Sequence, residues 1–185
     1  INRIDRGWTD PTTFTNYITM INYIDATIKP ASIWDPTRFV NIWSYNFINS
    51  GLLGYATFPT AGLPDLPGGE TATTAGCVFL TGSLGSVASP GTAGNYALGR
   101  TVGHEIGHFL GLYHIWGDEV DCSGSDLCAD TPPCSDEYYS QVPGCTAPTQ
   151  CSGQRRMIEN YMDYSDDGCM NTYTQNQVDR IQAVM

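Results

Sequence analysis

The sequence predicts a single domain of the α+β class. Apolar residues spaced three and four apart near the beginning of the chain indicate a first helix. Two later segments are also predicted to be helical: one carries three histidines, and the other ends the chain. Short β-prone stretches lie between the first two helices. This order of helix, strands, helix, loops and helix is typical of α+β folds. The 185 residues suit one domain, 1–185, with a sizeable core.

The first predicted helix covers residues 10–29. Thr9 or Asp10 can cap its beginning, and Pro11 is tolerated in a first turn, where its missing amide hydrogen is not needed. Pro30 is expected to end the helix, because proline removes a helical hydrogen bond and clashes with the preceding turn. The regularly spaced apolar residues are Phe14, Tyr17, Ile18, Ile21, Ile24 and Ile28.

Three strands are predicted after this helix, at 38–47, 52–58 and 77–81. They combine β-branched, aromatic and other apolar residues in short runs. The connecting segments 59–76 and 82–95 are rich in Gly with Pro, Thr or Ser, which indicates loops.

The rest of the chain contains two helices and a long irregular part. The string NYALGRTVGHEIGHFLGLYH has the apolar residues of a buried helix, interrupted by glycines. Residues 117–156 show almost no periodicity and are expected to be irregular. Thr174 begins the final helix, with Gln177 three residues on as in a capping box. One side of that helix carries Val178, Ile181 and Val184.

Charge and hydropathy argue against two kinds of partner. The chain has 8 basic and 19 acidic residues, and this net charge of −11 makes it a poor partner for nucleic acid or an anionic membrane. The negative surface either keeps the protein in solution or attracts cationic substrates. No stretch approaches the apolar length that spans a bilayer. The polar beginning INRIDRGW contains no signal peptide, so a processed product is expected.

Seven cysteines indicate disulfide bonds and therefore an exported protein. Six lie in the last third of the chain among Gly, Pro, Ser and Asp, a pattern typical of a stapled, loop-rich region. A structural zinc cluster is the alternative, but no CxxC pair is present. An odd number leaves at least one cysteine without an intrachain partner, and Cys77 is remote from the rest. The cysteines are Cys77, Cys122, Cys128, Cys134, Cys145, Cys151 and Cys169.

The string HEIGHFLGLYH indicates a catalytic zinc site. On a helix, residues four apart are separated by about 40° around the axis and about 6 Å along it, so His104 and His108 can face one ion. Glu105, on the flank of that face, can reach a water on the metal. Gly111 accepts the left-handed backbone angles that let the chain leave the helix. His114 can then approach the ion from another direction.

Three histidine nitrogens leave a fourth position open, which distinguishes a catalytic zinc site from a structural one. An HExxH string can occur by chance, and a lone histidine is usually a satisfied core residue. Here the chain has three histidines in all, and every one lies in this short window at ligand spacing. We therefore favour the zinc site over the structural interpretation.

The same string carries a resemblance. HEIGHFLGLYH matches the HExxHxxGxxH signature of the metzincin clan of zinc peptidases. That clan has a tight turn with a methionine beneath the metal, and NYMDYS at 160–165 is similar, with Met162 in that place. An ordinary core methionine is the alternative. Tyr164 lies where several metzincin families carry a tyrosine that ligates zinc at rest or hydrogen-bonds the tetrahedral intermediate.

Longer strings are similar to the pappalysin family of metzincins, in particular its compact ulilysin-like and mirolysin-like members. They are HEIGHFLGLYHIWGD, ADTPP and NYMDYSDDGCMNTYTQNQVDRI, with LLGYATFP upstream. The resemblance implies an upper subdomain, about 1–111, with a twisted mixed sheet and two helices. It also implies an irregular, disulfide-stapled lower subdomain, about 112–185, with Met162 and the C-terminal helix. The active-site cleft would lie between the two.

The family resemblance extends to the cysteines and to a second metal. Cys128 and Cys134 depart from the family's minimal cysteine pattern, and we expect them to pair with each other, which leaves Cys77 free. The two bonds that the resemblance implies are Cys122–Cys151 and Cys145–Cys169.

A structural calcium ion is implied by resemblance in the loop SDLCADT, residues 125–131. Its ligands would be Asp126 and Thr131 with the carbonyls of Ser125 and Ala129. Such hard oxygen donors in irregular backbone suit calcium. A solvated acidic loop is the alternative.

Two expectations concern the substrate. CVFLT, at 77–81, resembles the edge strand at the upper rim of the cleft, where an extended substrate would pair through its backbone. A strand inside the sheet fits the sequence equally well. Asp166 and Asp167 lie near the expected floor of the pocket after the scissile bond, where a carboxylate would favour Arg or Lys. Two exposed turn aspartates are the alternative.

These features predict a secreted, monomeric, zinc-dependent endopeptidase of protein or peptide substrates, made as a zymogen, with this chain as its mature catalytic domain. Zinc would lower the pKa of its bound water to about 7, and Glu105 would act as general base and then protonate the leaving amine. A zinc domain that binds without catalysis is one competing interpretation, which the intact Glu105 argues against. Membership of another metzincin family is the second competing interpretation, and the strings ADTPP and DDGCMN argue against it.

Overall fold

The computed structural model describes residue 14 and residues 16–47, 51–136 and 143–185. The α+β class predicted from the sequence is confirmed. In the described part of the chain, no helix has the length and apolar character needed to cross a membrane.

The first helical segment begins later than the sequence indicated. Helix α1 covers Tyr17–Tyr23, and the Asn16 side chain caps it by accepting a hydrogen bond from the Thr19 amide at 2.9 Å. The caps predicted at Thr9 or Asp10 lie outside the described residues. A polar side chain with extended backbone angles directly before the first turn satisfies an amide that the helix itself cannot.

Pro30 does not end this segment, and that prediction was wrong. A π-helical stretch, Ile24–Ile28, follows α1, and helix α2 continues over Lys29–Ser32. In the wider π turn the Lys29 amide donates to the Ile24 carbonyl, five residues back. This wider turn leaves room for a proline ring that would clash in a regular α-helix.

A three-stranded mixed sheet lies against this segment. Strands β1, Ile42–Tyr45, β2, Gly54–Ala56, and β3, Cys77–Leu80, have the spatial order β1-β3-β2. Strand β3 is parallel to β1 and antiparallel to β2. The observed strands β1 and β2 are shorter than the predicted ones.

The prediction that residues 77–81 form an edge strand was wrong, because β3 is the central strand of the three. Cys77, Val78 and Phe79 are all fully buried. An uninterrupted apolar run is typical of a strand that is covered on both faces. The alternative that the sequence left open, a strand inside the sheet, is the correct one.

The sheet lies between two helices. Val78 packs in one cluster with Ile24 and Ile28 of the first helical segment. Successive side chains of a strand point to opposite faces, and the neighbouring Cys77 thiol lies 3.5 Å from the backbone carbonyl of Glu105. That carbonyl belongs to helix α3, Arg100–Phe109. The sheet therefore packs against α3 at Glu105.

Between α3 and helix α4, Gln175–Val184, the described residues, 110–136 and 143–174, form no α-helix or strand. The predicted capping box at the beginning of α4 is confirmed. The Thr174 side chain accepts from the Gln177 amide, and the Gln177 side chain accepts from the Thr174 amide at 2.9 Å. Short 3-10 turns are the other regular elements described: Thr81–Ser83, Gly94–Tyr96, Pro143–Cys145 and Cys151–Gly153.

Two disulfide bonds staple this irregular part. Both bonds implied by the resemblance are present, with Cα–Cα distances of 5.6 Å for Cys122–Cys151 and 5.3 Å for Cys145–Cys169. Cys77 is free, as expected, and it is buried.

The expected bond between Cys128 and Cys134 was wrong, because both are buried free thiols. Their side chains lie in different surroundings. Cys134 packs in an apolar cluster with Leu112, Trp116 and Met162. Cys128 lies in the polar loop, where burial, together with the charge of Asp126, raises the pKa of its thiol to about 12.

Candidate active site

Three imidazole nitrogens converge at the C-terminal half of α3. The Nε2 atoms of His104 and His108 are 3.1 Å apart, those of His104 and His114 are 3.2 Å apart, and those of His108 and His114 are 3.0 Å apart. In a tetrahedral site with Zn–N distances of 2.0–2.1 Å, ligand nitrogens would be about 3.3 Å apart. The spacing therefore fits a zinc ion with one open position.

Partners at the far side of each ring set the tautomers of the histidines. The Nδ1 atom of His104 donates to the Tyr161 carbonyl at 2.7 Å, and that of His108 donates to the Leu112 carbonyl at 2.8 Å. Because a carbonyl can only accept, these nitrogens carry the hydrogen and the Nε2 lone pairs face one another. Three lone pairs that converge in this way repel one another unless a cation or a proton lies between them, and a metal ion satisfies all three at once.

A carboxylate orients the third histidine. The Nδ1 atom of His114 donates to Oδ1 of Asp118, four residues on. A ligand histidine commonly donates its other nitrogen to such a carboxylate, which fixes the ring and strengthens the ligand. We did not single out Asp118 from the sequence, although the four-residue spacing after His114 was the available signal.

The two helical histidines are held neutral, as metal ligands must be. Burial, with the neighbouring His114, lowers the pKa of His104 to about 3. Burial and the two other imidazoles lower the pKa of His108 well below its ordinary value.

Glu105 lies beside the histidine centre, formed by His104, His108 and His114, in the wall of a cavity. It is buried, and burial raises its pKa to about 8. A β-carbon at Gly54 of strand β2 would lie 2.9 Å from Cγ and Oε1 of Glu105. Glycine at position 54 therefore makes room for the carboxylate, a contact that no local sequence pattern could predict.

The cavity is lined by strand β2, helix α3 and residues of the later turns. Strand β2 and the residues before it form one wall, and helix α3 forms another. The lining residues are Gly51, Leu52, Leu53, Gly54, Tyr96, Thr101, His104, Glu105, Asp163, Tyr164, Asp167 and Met170.

A glycine allows the chain to leave α3 as the sequence predicted. Gly111 has a φ of 89°, which strains other residues. A β-carbon there would also lie 3.0 Å from Val184 and 3.1 Å from Leu66. The turn directs the chain back so that His114 faces the two helical histidines.

Met162 packs against helix α3. It is fully buried, its amide donates to Oδ1 of Asn160 at 2.9 Å, and its carbonyl accepts from the Ile115 amide at 3.2 Å. Its sulfur packs against Gly107 of α3, one residue before His108. The turn at 160–165 is thus joined both to the helix and to the segment that carries His114.

Two aromatic rings surround His114. The ring of Trp116 stacks on it with centroids 4.3 Å apart and an interplanar angle of 4°. The ring of Tyr164 lies 4.7 Å from His114 and 5.4 Å from His104. Tyr164 is therefore placed against the centre, as expected, whereas Trp116 was not identified from the sequence.

The two aspartates expected at the pocket floor have different surroundings. Asp167 is buried in the cavity wall, and its Oδ2 accepts from the amides of Leu98 at 2.7 Å and Arg100 at 3.2 Å, at the beginning of α3. Burial raises its pKa. Asp166 accepts from the Asn95 side chain at 3.0 Å. Both therefore have structural partners, and Asp167 is the one that reaches the cavity.

The loop expected to bind calcium contains a buried carboxylate. Asp126 is 3% exposed, and its Oδ1 accepts from the Cys128 amide at 3.1 Å and the Thr131 hydroxyl at 2.7 Å. Its Oδ2 is buried and has no hydrogen-bond partner among the described residues. The leading cause of its raised pKa is burial. Ser125 and Ala129 are exposed members of the same loop.

Known proteins with similar sequences are extracellular peptidases. A model of the M43 peptidases, described as pregnancy-associated plasma protein-A, matches residues 22–185. An extracellular metalloprotease of Arthroderma otae is 40% identical over 159 residues, which are 85% of this chain and 54% of that protein. Extracellular metalloprotease 1 of Coccidioides posadasii is 40% identical over 138 residues, 72% of this chain and 45% of that protein. The chain spans about half the length of these curated relatives.

Solved structures agree with these sequence matches. Mature mirolysin of Tannerella forsythia, in complex with a cleaved peptide, is 38% identical, with a TM-score of 0.62 over 81% of this chain and 53% of that chain. A promirolysin variant of the same organism is 35% identical, with a TM-score of 0.67 over 95% of this chain and 54% of that chain. The chain therefore belongs to the M43 peptidase family of pregnancy-associated plasma protein-A, the pappalysins.

Proposed function

We propose that this chain is the catalytic domain of a secreted zinc metalloendopeptidase that hydrolyses protein or peptide substrates. One observation carries the proposal: three Nε2 atoms converge at ligand spacing beside a buried glutamate in the wall of one cavity. His104, His108 and His114 would hold the ion, and the convergent lone pairs are the feature that fits it.

The chain's own groups would perform the proton transfers. When bound, zinc supplies a Lewis acid that lowers the pKa of a coordinated water to about 7. Glu105 accepts a proton from the attacking water and delivers it to the leaving nitrogen of the scissile peptide. Tyr164, whose ring lies against His104 and His114, donates a hydrogen bond from its hydroxyl to the oxygen of the attacked carbonyl.

Strand β2 is the structural element best placed to align the substrate. It is an edge strand of the three described, and within the described residues it pairs only with β3. Gly54, its first residue, and Leu53, directly before it, line the cavity with Glu105. An extended peptide would add to this edge through backbone hydrogen bonds, which brings its carbonyl to the centre without requiring a particular side chain.

Asp167 supports a preference for Arg or Lys directly after the scissile bond. Its carboxylate lies in the cavity wall and is fixed by the amides of Leu98 and Arg100. A fixed carboxylate favours a cationic side chain, and a guanidinium can bind it through two hydrogen bonds. Asp166 would add negative charge from the rim. A cleavage profile on a peptide library tests the preference, and apolar residues dominating that position would reject it.

A calcium ion in the loop 125–131 is also proposed. The orphaned Oδ2 of Asp126 supports it, because a buried carboxylate oxygen without a donor is costly unless it binds a cation. The remaining ligands would be Thr131 with the carbonyls of Ser125 and Ala129. The ion would stabilise the lower subdomain rather than take part in hydrolysis.

The remaining parts of the proposal concern organisation. We place the boundary between upper and lower subdomains at Gly111, with 1–111 above the cleft and 112–185 below it. The two disulfide bonds and the extracellular relatives support secretion. Synthesis as a zymogen and a monomeric active form complete the proposal.

Hydrolysis of casein or gelatin tests the central proposal. The parent chain should cleave, a chelator should abolish cleavage, and zinc should restore it. Glu105→Ala should retain zinc but lose cleavage, since its histidines remain. Equal cleavage by parent and Glu105→Ala would reject the mechanism. No cleavage by a zinc-loaded parent would favour the alternative, a domain that binds without catalysis.

A further inference from the structure

A buried ion pair joins Arg156 to Asp163, a residue of the turn that carries Tyr164. Arg156 is 2% exposed, and its guanidinium binds Asp163 in a fork, with Nε 3.1 Å from Oδ1 and 3.2 Å from Oδ2. A further bond joins Nη2 of Arg156 to the same carboxylate. Asp163 is fully buried and immediately precedes Tyr164 in the chain.

The other donors of Arg156 fix it to the irregular part of the chain. Its Nη1 donates to the Ser135 carbonyl at 2.6 Å and to the Gln150 side chain at 3.4 Å. The Ser165 hydroxyl donates to Oδ2 of Asp163 at 2.6 Å. The carboxylate between Met162 and Tyr164 is therefore held by Arg156, before the turn, and by Ser165, its last residue.

Arg156 is also linked to His114 through the ring of Trp116. Its guanidinium carbon lies 5.7 Å from the ring centroid of Trp116. The ring of Trp116 stacks on His114 and meets the ring of Tyr164 edge-on, with centroids 4.7 Å apart. One guanidinium thus contacts both the carboxylate of Asp163, next to Tyr164 in the chain, and the ring of Trp116, which touches Tyr164 and His114.

We infer that Arg156 is a positioning residue, which acts through Asp163 and Trp116 to hold Tyr164 against the histidine centre. Tyr164 must reach the oxygen of the attacked carbonyl, so its hydroxyl has to be placed to within a fraction of an ångström. A planar fork fixes the direction of its partner carboxylate, which an ammonium or an apolar side chain cannot do. The inference rests on the proposed role of Tyr164 in peptide hydrolysis.

The first test separates positioning from stability. Arg156→Met should lower both the melting temperature and kcat, because it leaves the Asp163 carboxylate buried and unpaired. Arg156→Met combined with Asp163→Leu replaces the whole pair by apolar groups and should recover most of the melting temperature. We expect kcat of the double variant to stay reduced on the order of 10- to 100-fold, with a much smaller change in KM.

The neighbouring arginine supplies the matched control. Arg155 is exposed and pairs with Glu159 at 2.9 Å on the surface. Arg155→Met should leave the melting temperature, kcat and KM unchanged. If the Arg156→Met/Asp163→Leu variant regains kcat together with its melting temperature, Arg156 has only a structural role and the inference is wrong.

A second test asks whether Arg156 acts through Tyr164. In a Tyr164→Phe background, Arg156→Met/Asp163→Leu should change kcat by less than about threefold, since the hydroxyl that it positions is already gone. Losses that multiply independently would overturn the inference. Arg156→Lys should restore part of the stability but little of kcat, because lysine keeps the charge without the fork.

A third readout needs no turnover. The visible absorption spectrum of the Co²⁺-loaded protein reports the geometry of the histidine centre, and it can be recorded in the Glu105→Ala background. We expect the spectrum to change with Arg156→Met/Asp163→Leu but not with Arg155→Met, and an unchanged spectrum would count against the route through Trp116. If Glu105→Ala itself remained fully active, the proposed hydrolysis would fail separately, while the spectrum would still decide the placement of the centre.

Discussion

The sulfur of Met162 lies where a side chain at Gly107 would begin. Gly107 belongs to the same turn of α3 as His108, and Met162 belongs to the turn that carries Tyr164. The absence of a β-carbon therefore lets the lower turn approach the histidine helix directly. A second glycine, Gly103, receives the ring of Tyr161 in the same way, with a would-be β-carbon 3.0 Å from it.

The first prediction is that Gly107→Ala destabilises the protein. In an open helix this change would stabilise by up to about 1 kcal/mol, but here the added carbon meets a fully buried methionine. Overpacking costs about 1–3 kcal/mol, so we expect a net loss of about 1–2 kcal/mol and a melting temperature lower by about 2–8 °C. Gly168→Ala, where no atom lies within 4 Å of the added carbon, is the control. A higher melting temperature for Gly107→Ala would contradict the packing.

The second prediction concerns Gly54. A β-carbon there would lie 2.9 Å from Glu105 and also 2.9 Å from the Val78 carbonyl. Because the carbonyl is fixed in the sheet, the glutamate has to move. Gly54→Ala should retain zinc, since no histidine is touched, but lose kcat by about 100-fold, the effect of displacing a catalytic group by about 1 Å. Zinc content and kcat are measured on the same sample, with Gly168→Ala again as control. Unchanged kcat would show that Glu105 tolerates the displacement.

These contacts mark the limit of what the sequence can predict. The zinc ligands were predictable because their geometry is local: His104 and His108 are one helical turn apart, and Gly111 marks the turn that returns His114. Gly54 and Arg156 were not predictable, because their roles depend on distant segments meeting in space. Neither a lone glycine nor a lone arginine carries a periodic signal.

The order of the strands shows a different limit. A short apolar run such as Cys77–Leu80 fits a rim strand and a central strand equally well, because periodicity does not report how many neighbours a strand has. The family resemblance favoured the wrong alternative. The prediction that Pro30 ends the helix was wrong for a local reason. A proline ring is expected to clash with the preceding turn of a regular α-helix, and the wider π turn before Pro30 relieves that clash.

The third prediction concerns Asp118, which accepts the Nδ1 hydrogen of His114. Loss of such a partner commonly weakens metal binding 10- to 100-fold, an order-of-magnitude range. Asp118→Asn should therefore weaken zinc binding by about that range, measured by competition with a chelator of known affinity. Glu119→Gln, at the next position, which is also exposed, should have no effect. Equal affinities for parent and Asp118→Asn would show that the His114 ring is oriented by Trp116 alone.

The last prediction tests calcium in the loop 125–131 by thermal unfolding. The Glu105→Ala background prevents self-digestion during heating. If calcium binds the folded state alone, a concentration 100 times its dissociation constant should add about 2.7 kcal/mol of stability. Asp126→Asn keeps an oxygen to accept from Cys128 and Thr131 but replaces the orphaned Oδ2 with an amide. We expect calcium to raise the melting temperature of the background protein and to have little effect on the Asp126→Asn variant.

Without calcium, the Asp126→Asn variant should be at least as stable as the background, because a buried, incompletely paired charge has been removed. Asp121→Asn, an exposed aspartate directly before Cys122, is the control and should respond to calcium like the background. An equal calcium response in the Asp126→Asn variant would place any bound calcium elsewhere in the protein.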